Sequence, residues 1–248
     1  MIPLKSENDL KMLKRSGSIL ASVMRKLEDA ILPGMTTADI DRISEELILK
    51  EKALPAFKDY HGFPCSACIS VNEEVVHGIP GAKVISEGDI VSIDLGVNFQ
   101  GYFSDMAVTL PVGKTDPEKL RLIRITRESL DLGISYARSG NYLTDISHNI
   151  QRFAEKEGFS VVRQFVGHGI GKALHEEPEV PNFGSAGLGP LLKSGMVLAI
   201  EPMINAGSWE CRVQQNGWTA VTRDGLPSAH FEHTVAVTEN GPLILTSI

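Results

Sequence analysis

The chain has 248 residues, 42% of them hydrophobic, and a formal net charge of −7. That length and apolar content suffice for a buried core in one large domain or two small ones, and the acidic balance argues against a general nucleic-acid or anionic-membrane binder. Three cysteines, Cys65, Cys68 and Cys211, are too few for a disulfide framework, which suits a reducing compartment.

The first fifteen residues, MIPLKSENDLKMLKR, are charged within five positions and lack an apolar signal core. No run approaches the length of a membrane span. With no address signal, the cytoplasm is the default location. Ser6 with Asp9 predicts a helix cap. Leu10, Leu13, Leu20, Met24, Leu27 and Ile31 then recur at helical spacing until Pro33-Gly34 stops them. Thr36 with Asp39 opens a second helix with Ile40, Ile43 and Leu47 as its apolar stripe. Beyond Pro55 the character turns to strand and loop. Cys65-Ser-Ala-Cys68 is a C-x-x-C, but strand-like Ile69-Ser70-Val71 follows it where a redox motif would open a helix, so ordinary packing is the expectation.

The stretch from Ile90 to Leu110 predicts a hairpin whose turn is Asn98-Phe99-Gln100-Gly101. With Phe99 and Gln100 as the two-residue loop, Asp94 directly faces Asp105, their Cβ atoms roughly 5 Å apart. Moving the turn centre by one residue keeps both aspartates on one face, with Ser92, Gly96, Ala107 and Thr109. Val91, Ile93, Leu95 and Val97 then fill the core side. Like charges across a ladder are destabilising, and a cation is the simplest compensation.

Asp116-Pro117 starts another long helix with Leu120, Ile123, Leu130 and Ile134 as its stripe, ended by Ser139-Gly140. Thr144 opens a shorter one carrying Ile146, Ile150 and Phe153, and strand-like Val161-Val162 and Phe165-Val166 follow. The order long helix, glycine break, shorter helix, strands thus occurs twice. Local matches accompany it: Gly34 to Ile40 with Gly140 to Ile146, Val76-His77-Gly78-Ile79 with Gly167-His168-Gly169-Ile170, Gly88 to Asp94 with Gly195 to Glu201, and the Asp105 strand with Phe231 to Val235. Several matches in one order indicate an internal duplication. The expected architecture is one domain, residues 1–248, with pseudo-repeat halves of about 1–112 and 113–248 sharing a central sheet backed by helices.

The duplication pairs His77 with His168, Asp94 with Glu201, and Asp105 with Glu232. Each histidine taken alone fits a structural role. If the halves meet face to face, however, four carboxylates converge, and burying such charge costs several kcal/mol per ion. Two divalent cations would balance them. A carboxylate set with imidazole suits Mn, Fe, Co or catalytic Zn, whereas thiolates mark structural zinc.

The blocks VNEEVVHGIP, GDIVSIDLG with FSD, GHGIGKALHEEP, MVLAIEPM and HFEHTVAVT together resemble the methionine aminopeptidases, type I bacterial form, over essentially the whole length. The resemblance implies an α+β pita-bread (creatinase/aminopeptidase) fold and removal of the initiator methionine from nascent polypeptides. It implies a pair of divalent ions (Co, Mn, Fe or Zn) held by Asp94, Asp105, His168, Glu201 and Glu232. Glu201, His175 and His77 would be catalytic, with His77 and His175 beside the substrate; symmetry alone would have made His77 a sixth ligand. Tyr60, Phe63, Cys68 and Trp218 would form the methionine pocket, with Leu174 adding to its wall. The implied partners are polypeptide N-termini beginning with Met and a small second residue, with the ribosome as a further candidate. No membrane and no specific nucleic acid are expected, and the protein is expected to be a monomer. Gly96 stands where many members have threonine, and Phe63 where tyrosine is common. The rival on the same fold is an Xaa-Pro aminopeptidase or prolidase, which usually carries an extra N-terminal domain.

Overall fold

The computed structural model describes residues 2–247. The first half runs α1 (Glu7–Ala30), α2 (Thr37–Lys50), β1 (Leu54–Pro55), β2 (Ala67–Val71), β3 (Glu74–Val76), β4 (Ile90–Phe99) and β5 (Tyr102–Pro111). The second half opens with α3 (Pro117–Ser135), α4 (Leu143–Lys156), β6 (Ser160–Val161), β7 (Gly167–Gly169) and β8 (Glu176–Val180). It continues through β9 (Val197–Ile200), β10 (Met203–Asn205), β11 (Cys211–Val213), β12 (Ala220–Thr222), β13 (Ser228–His230), β14 (His233–Thr238) and β15 (Gly241–Ile244). No helix among the described residues is long and apolar enough to cross a membrane.

Local chemistry sets the helix starts. Ser6 and Thr36 each accept from the backbone N–H three residues on, while Asp9 and Asp39 bond back to the cap N–H, so both first turns are closed reciprocally. Leu20, Met24 and Leu27 of α1 and Ile40 of α2 are fully buried. They join the core face of β4, where Val91, Ile93, Leu95 and Val97 are likewise inaccessible, as expected from their alternation. The same apolar cluster takes in α3, α4 and the strands of the second half, so one core serves both halves. Two details of α3 differ from expectation. Leu120 is 43% exposed and Leu122 takes the core position. The helix also ends at Ser135, ahead of the Ser139-Gly140 break. Phe165-Val166 lies outside any strand.

The strands do not form one continuous central ladder. Among the described residues they group into four hydrogen-bonded sheets. Two of these carry the duplication: β4 lies between β5 and the successive β2 and β1, and β9 lies between β14 and β7. In the β4–β5 hairpin the loop is Gln100-Gly101, one residue later than expected. Both loop residues have positive φ, 54° and 83°, which the favoured two-residue hairpin turn requires and which glycine at its second position makes easy. Phe99 would have had to adopt that conformation in the earlier register. Asp94 therefore pairs with Ala107, and Asp105 with Gly96. The two aspartates stay on one face but sit diagonally. The direct opposition occurs in the other half. The flanking pairs Ile200–His233 and Met203–His230 keep one register, which leaves Glu201 across from Glu232.

The halves meet between β5 and the segment from β13 to β14. Glu232 N–H donates to the Ala107 carbonyl at 2.9 Å. Thr109 Oγ1 donates to the His230 carbonyl and accepts from the His230 N–H, both at 2.8 Å. Thr234 Oγ1 does the same for Asp105, at 2.8 and 2.9 Å. Two buried hydroxyls thus do what a backbone ladder would do elsewhere. This pattern also revises the symmetry. Thr109 pairs with Ser92 on β4 and Thr234 with Ala199 on β9, so the counterpart of Asp105 is His230, and that of Glu232 is Ala107. His77 is not the counterpart of His168 either, because β3 pairs with β12 in a separate sheet while β7 pairs with β9.

Replacing either threonine by valine keeps shape and strands two buried backbone groups. Thr109→Val and Thr234→Val are each expected to lower unfolding free energy by about 1–3 kcal/mol, read from denaturant midpoints with unchanged slope. Unchanged midpoints would show that the seam does not depend on these hydroxyls.

Candidate active site

The seam delivers the acidic groups to one place. Asp94 comes from mid-β4, Asp105 from β5, His168 from β7, Glu201 from the residue after β9, and Glu232 from the two-residue gap between β13 and β14. Asp105, His168 and Glu232 are buried; Asp94 and Glu201 keep partial exposure and line a cavity of about 370 Å³ together with them. Ligand atoms of Asp105, His168 and Glu232 lie within 4.8 Å of one another, and so do those of Glu201, His230 and Glu232. Glu232 belongs to both groups.

The electrostatics are those of acids lacking a counter-charge. Burial pushes Asp94 up to about 7 and Glu201 up to about 8. It drives Asp105 and Glu232 well above the carboxylate range, with the neighbouring carboxylates adding to the effect. Asp94 Oδ1 and Glu232 Oε1 are buried without a hydrogen-bond partner among the described residues. His168 bonds through Nδ1 to the Gly169 carbonyl at 2.9 Å, which puts the proton on Nδ1 and leaves Nε2 bare. That Nε2 stands 3.6 Å from Glu201 Oε1 and 3.9 Å from Asp105 Oδ2. Burial holds its pKa down at about 3, so it is a neutral nitrogen donor aimed at carboxylates. Orphaned oxygens, a bare imidazole and mutual acid repulsion fit a divalent metal.

The rest of the cavity is apolar. Phe63 and Trp218 meet edge to face at 5.2 Å, Leu174 and Phe57 add to the wall, and Cys68 and Tyr60 line it too. Cys68 is the β2 partner of Asp94. Burial, then the charges of Asp94 and Asp105, push its thiol well up; burial also raises Cys65. Neither cysteine has the depressed pKa of a redox thiol, and Cys68 serves as wall. At the mouth, His175 Nδ1 bonds the Tyr60 hydroxyl at 2.7 Å, and its ring lies 4.1 Å from that of His168. His77 has a positive φ of 57°, a strained setting for a non-glycine residue. It packs edge-on against Phe165 and borders the same cavity. Burial, with His230 and His175 nearby, lowers its pKa to about 4. Every residue singled out from the sequence as ligand, catalytic group or pocket wall thus borders this one cavity.

A model of metallopeptidase family M24 matches residues 11–239. The chain belongs to metallopeptidase family M24. It is 54% identical to the methionine aminopeptidase of Clostridium perfringens over 248 residues, covering 100% of both chains. The crystal structure of the Thermotoga maritima methionine aminopeptidase superposes with a TM-score of 0.98 at 47% identity, again over 100% of both. The prolidase of Pyrococcus furiosus superposes at a TM-score of 0.81 over 99% of this chain and 65% of its own, with 23% identity, a likeness of fold alone. The α+β pita-bread architecture expected from the resemblance is the M24 architecture, and the chain is a hydrolase.

Sequence reasoning passed over His230 in this M24 site. It lies in the quoted block HFEHTVAVT, but no spacing rule marks it, because only the seam brings it to Glu201, 3.6 Å from Nε2 to Oε2. Phe57, in the loop before the short turn at Tyr60–Gly62, was also unforeseen. It explains Gly96: a Cβ there would lie 2.6 Å from Phe57 Cε1 and 2.9 Å from Ala56 Cβ. Gly96 makes room for an aromatic ring that lines the cavity.

Two outcomes follow from this geometry. Gly96→Thr is expected to displace Phe57 and cost about 1–3 kcal/mol by overpacking, checked by thermal unfolding; a neutral change would show that Phe57 yields freely. The acids also give a pH signature. With folded-state values near 7 and 8 for Asp94 and Glu201 against about 4 in the unfolded chain, they favour the metal-free fold fully below about pH 4. That contribution is lost as pH rises through 7 to 8. A bound divalent ion reverses the preference, so the gain in melting temperature on adding metal should grow between pH 5 and pH 8. A gain independent of pH would contradict the acid cluster as the binding group.

Proposed function

We propose that this protein is a methionine aminopeptidase removing the initiator methionine from nascent polypeptides, and that Asp94, Asp105, His168, Glu201 and Glu232 would hold two divalent ions. The observation that carries the reading is one cavity with an acidic, imidazole-bearing end and an aromatic, apolar end. The full-length relatives named methionine aminopeptidases support it. Ions held there would acidify water into a nucleophile near neutral pH and polarise a carbonyl.

The remaining work falls to side chains. Glu201 accepts the proton of the attacking water and returns it to the leaving amine. A carboxylate held beside the attacking water suits both halves of that task. His175, tethered by Tyr60, presents its free ring nitrogen to the scissile carbonyl. His77, neutral at physiological pH, contacts the substrate amide. Tyr60, Phe63, Cys68 and Trp218 hold the methionine side chain, whose polarisable sulfur suits aromatic walls. On this reading residues 1–248 form one catalytic domain with halves of about 1–112 and 113–248. Its substrates are N-termini with Met followed by a small residue, delivered from the ribosome, and the enzyme works as a monomer in the cytoplasm.

Metal-dependent release of methionine from Met-Ala-Ser, compared across Mn, Fe, Co and Zn, is the primary test. Cleavage of Ala-Pro-Gly with Met-Ala-Ser untouched would favour the Xaa-Pro peptidases of this fold instead. Glu201→Gln is expected to keep the fold and lose turnover by roughly 10²-fold or more; near-normal turnover with metal bound would remove Glu201 from the proton relay.

A further inference from the structure

The seam places His230 where the other half has Asp105. Each has its backbone N–H and carbonyl bridged by a threonine hydroxyl from across the seam, Thr109 for His230 and Thr234 for Asp105. The His230 side chain therefore points to the same axis as that of Asp105. It is 1% exposed, and its Nε2 has no hydrogen-bond partner among the described residues. That nitrogen stands 3.6 Å from Glu201 Oε2, while His168 Nε2 stands 3.6 Å from Glu201 Oε1. One carboxylate is bracketed by two imidazoles, one on each oxygen.

The two imidazoles are not equivalent. His168 spends its proton on the Gly169 carbonyl and offers a lone pair. Once an ion holds Glu201 as a carboxylate, a His230 lone pair facing Oε2 would repel it, so the proton of that ring belongs on Nε2. A buried N–H without an acceptor costs about 1–3 kcal/mol, and a small rotation of the Glu201 carboxylate supplies one.

We propose that His230 is a positioning residue of this centre: its Nε2–H holds Oε2 of Glu201, keeping Oε1 turned toward His168. The assignment rests on the metal-centre reading above. Groups that orient a ligand from behind are commonly worth about 10- to 100-fold in metal affinity, because an untethered carboxylate must be ordered by the ion itself.

The test is calorimetric titration of Co²⁺ into metal-free wild-type, His230→Leu and His230→Gln proteins, with visible spectra of the loaded forms and melting temperatures of the metal-free ones. Leu is expected to weaken binding about 10- to 100-fold. Gln, whose amide N–H reaches the same oxygen, should recover most of the loss with unaltered cobalt bands. If the Leu protein does not fold, His230→Asn, a donor one methylene too short, should show the loss instead. Affinity unchanged in Leu overturns the assignment. So does a lower metal-free melting temperature with no loss of affinity, which is a packing role. A Gln protein as weak as Leu with shifted cobalt bands also overturns it, making the imidazole itself a ligand. Wild-type protein that takes up no cobalt overturns the metal-centre reading, and this assignment with it.

Discussion

The rest of the structure depends on mutual repulsion held in check. Four carboxylates from two halves of the chain line one cavity, two of them buried and two partly exposed, and burial makes each resist ionisation. A fold that gathered acids in this way without using them would lose stability at neutral pH for no return. The apolar core under β4 and the helices is large enough to carry that load, and it runs without a break through both halves. Concentrated acid is tolerable here because it sits on, or directly beside, strands packed into that core.

The seam is where duplication becomes chemistry. A continuous ladder between β5 and β14 would have given each residue the same environment. Instead, two threonine hydroxyls carry the pairing, and between them lies the short gap that lets Glu232 turn inward. The symmetry so revealed is imperfect in a useful way. Asp94 has Glu201 as its counterpart, whereas Asp105 has His230, and Glu232 has only Ala107. Around the acids, one half contributes Asp94 and Asp105; the other contributes Glu201 and Glu232 with His168 and His230 beside them. Equal backbones with unequal side chains give a site with two ends, as a directional reaction on an asymmetric peptide requires.

The cavity extends the same logic. Cys68 stands beside Asp94 on the neighbouring strand, so a single β-sheet face passes from acid to apolar wall within one strand spacing. Phe57 reaches this wall only because Gly96, the partner of Asp105, has no side chain. Acidic end and apolar end are thus coupled through the same hairpin. The M24 relationship accounts for the plan, and the packing around Gly96 shows how this chain carries it out.

Much of this is legible in the sequence itself. Capping boxes at Ser6 and Thr36, apolar stripes of α1 and α2, and the alternation in β4 depend on neighbours within a few residues, so the sequence alone determined them. It also determined that Asp94 and Asp105 share a face, because side-chain alternation survives any two-residue shift of register. The motif blocks marked the site residues that border the cavity. Only the tertiary structure decided which residues oppose which. The hairpin register turned on the backbone angles of Gln100 and Gly101, and the choice of Leu122 over Leu120 on how α3 leans on the core. The role of Gly96 turned on Phe57, and the place of His230 on the Thr109 hydroxyl, more than a hundred residues away in the chain. Periodicity records what one element can bury, and contacts between distant elements leave no period to read.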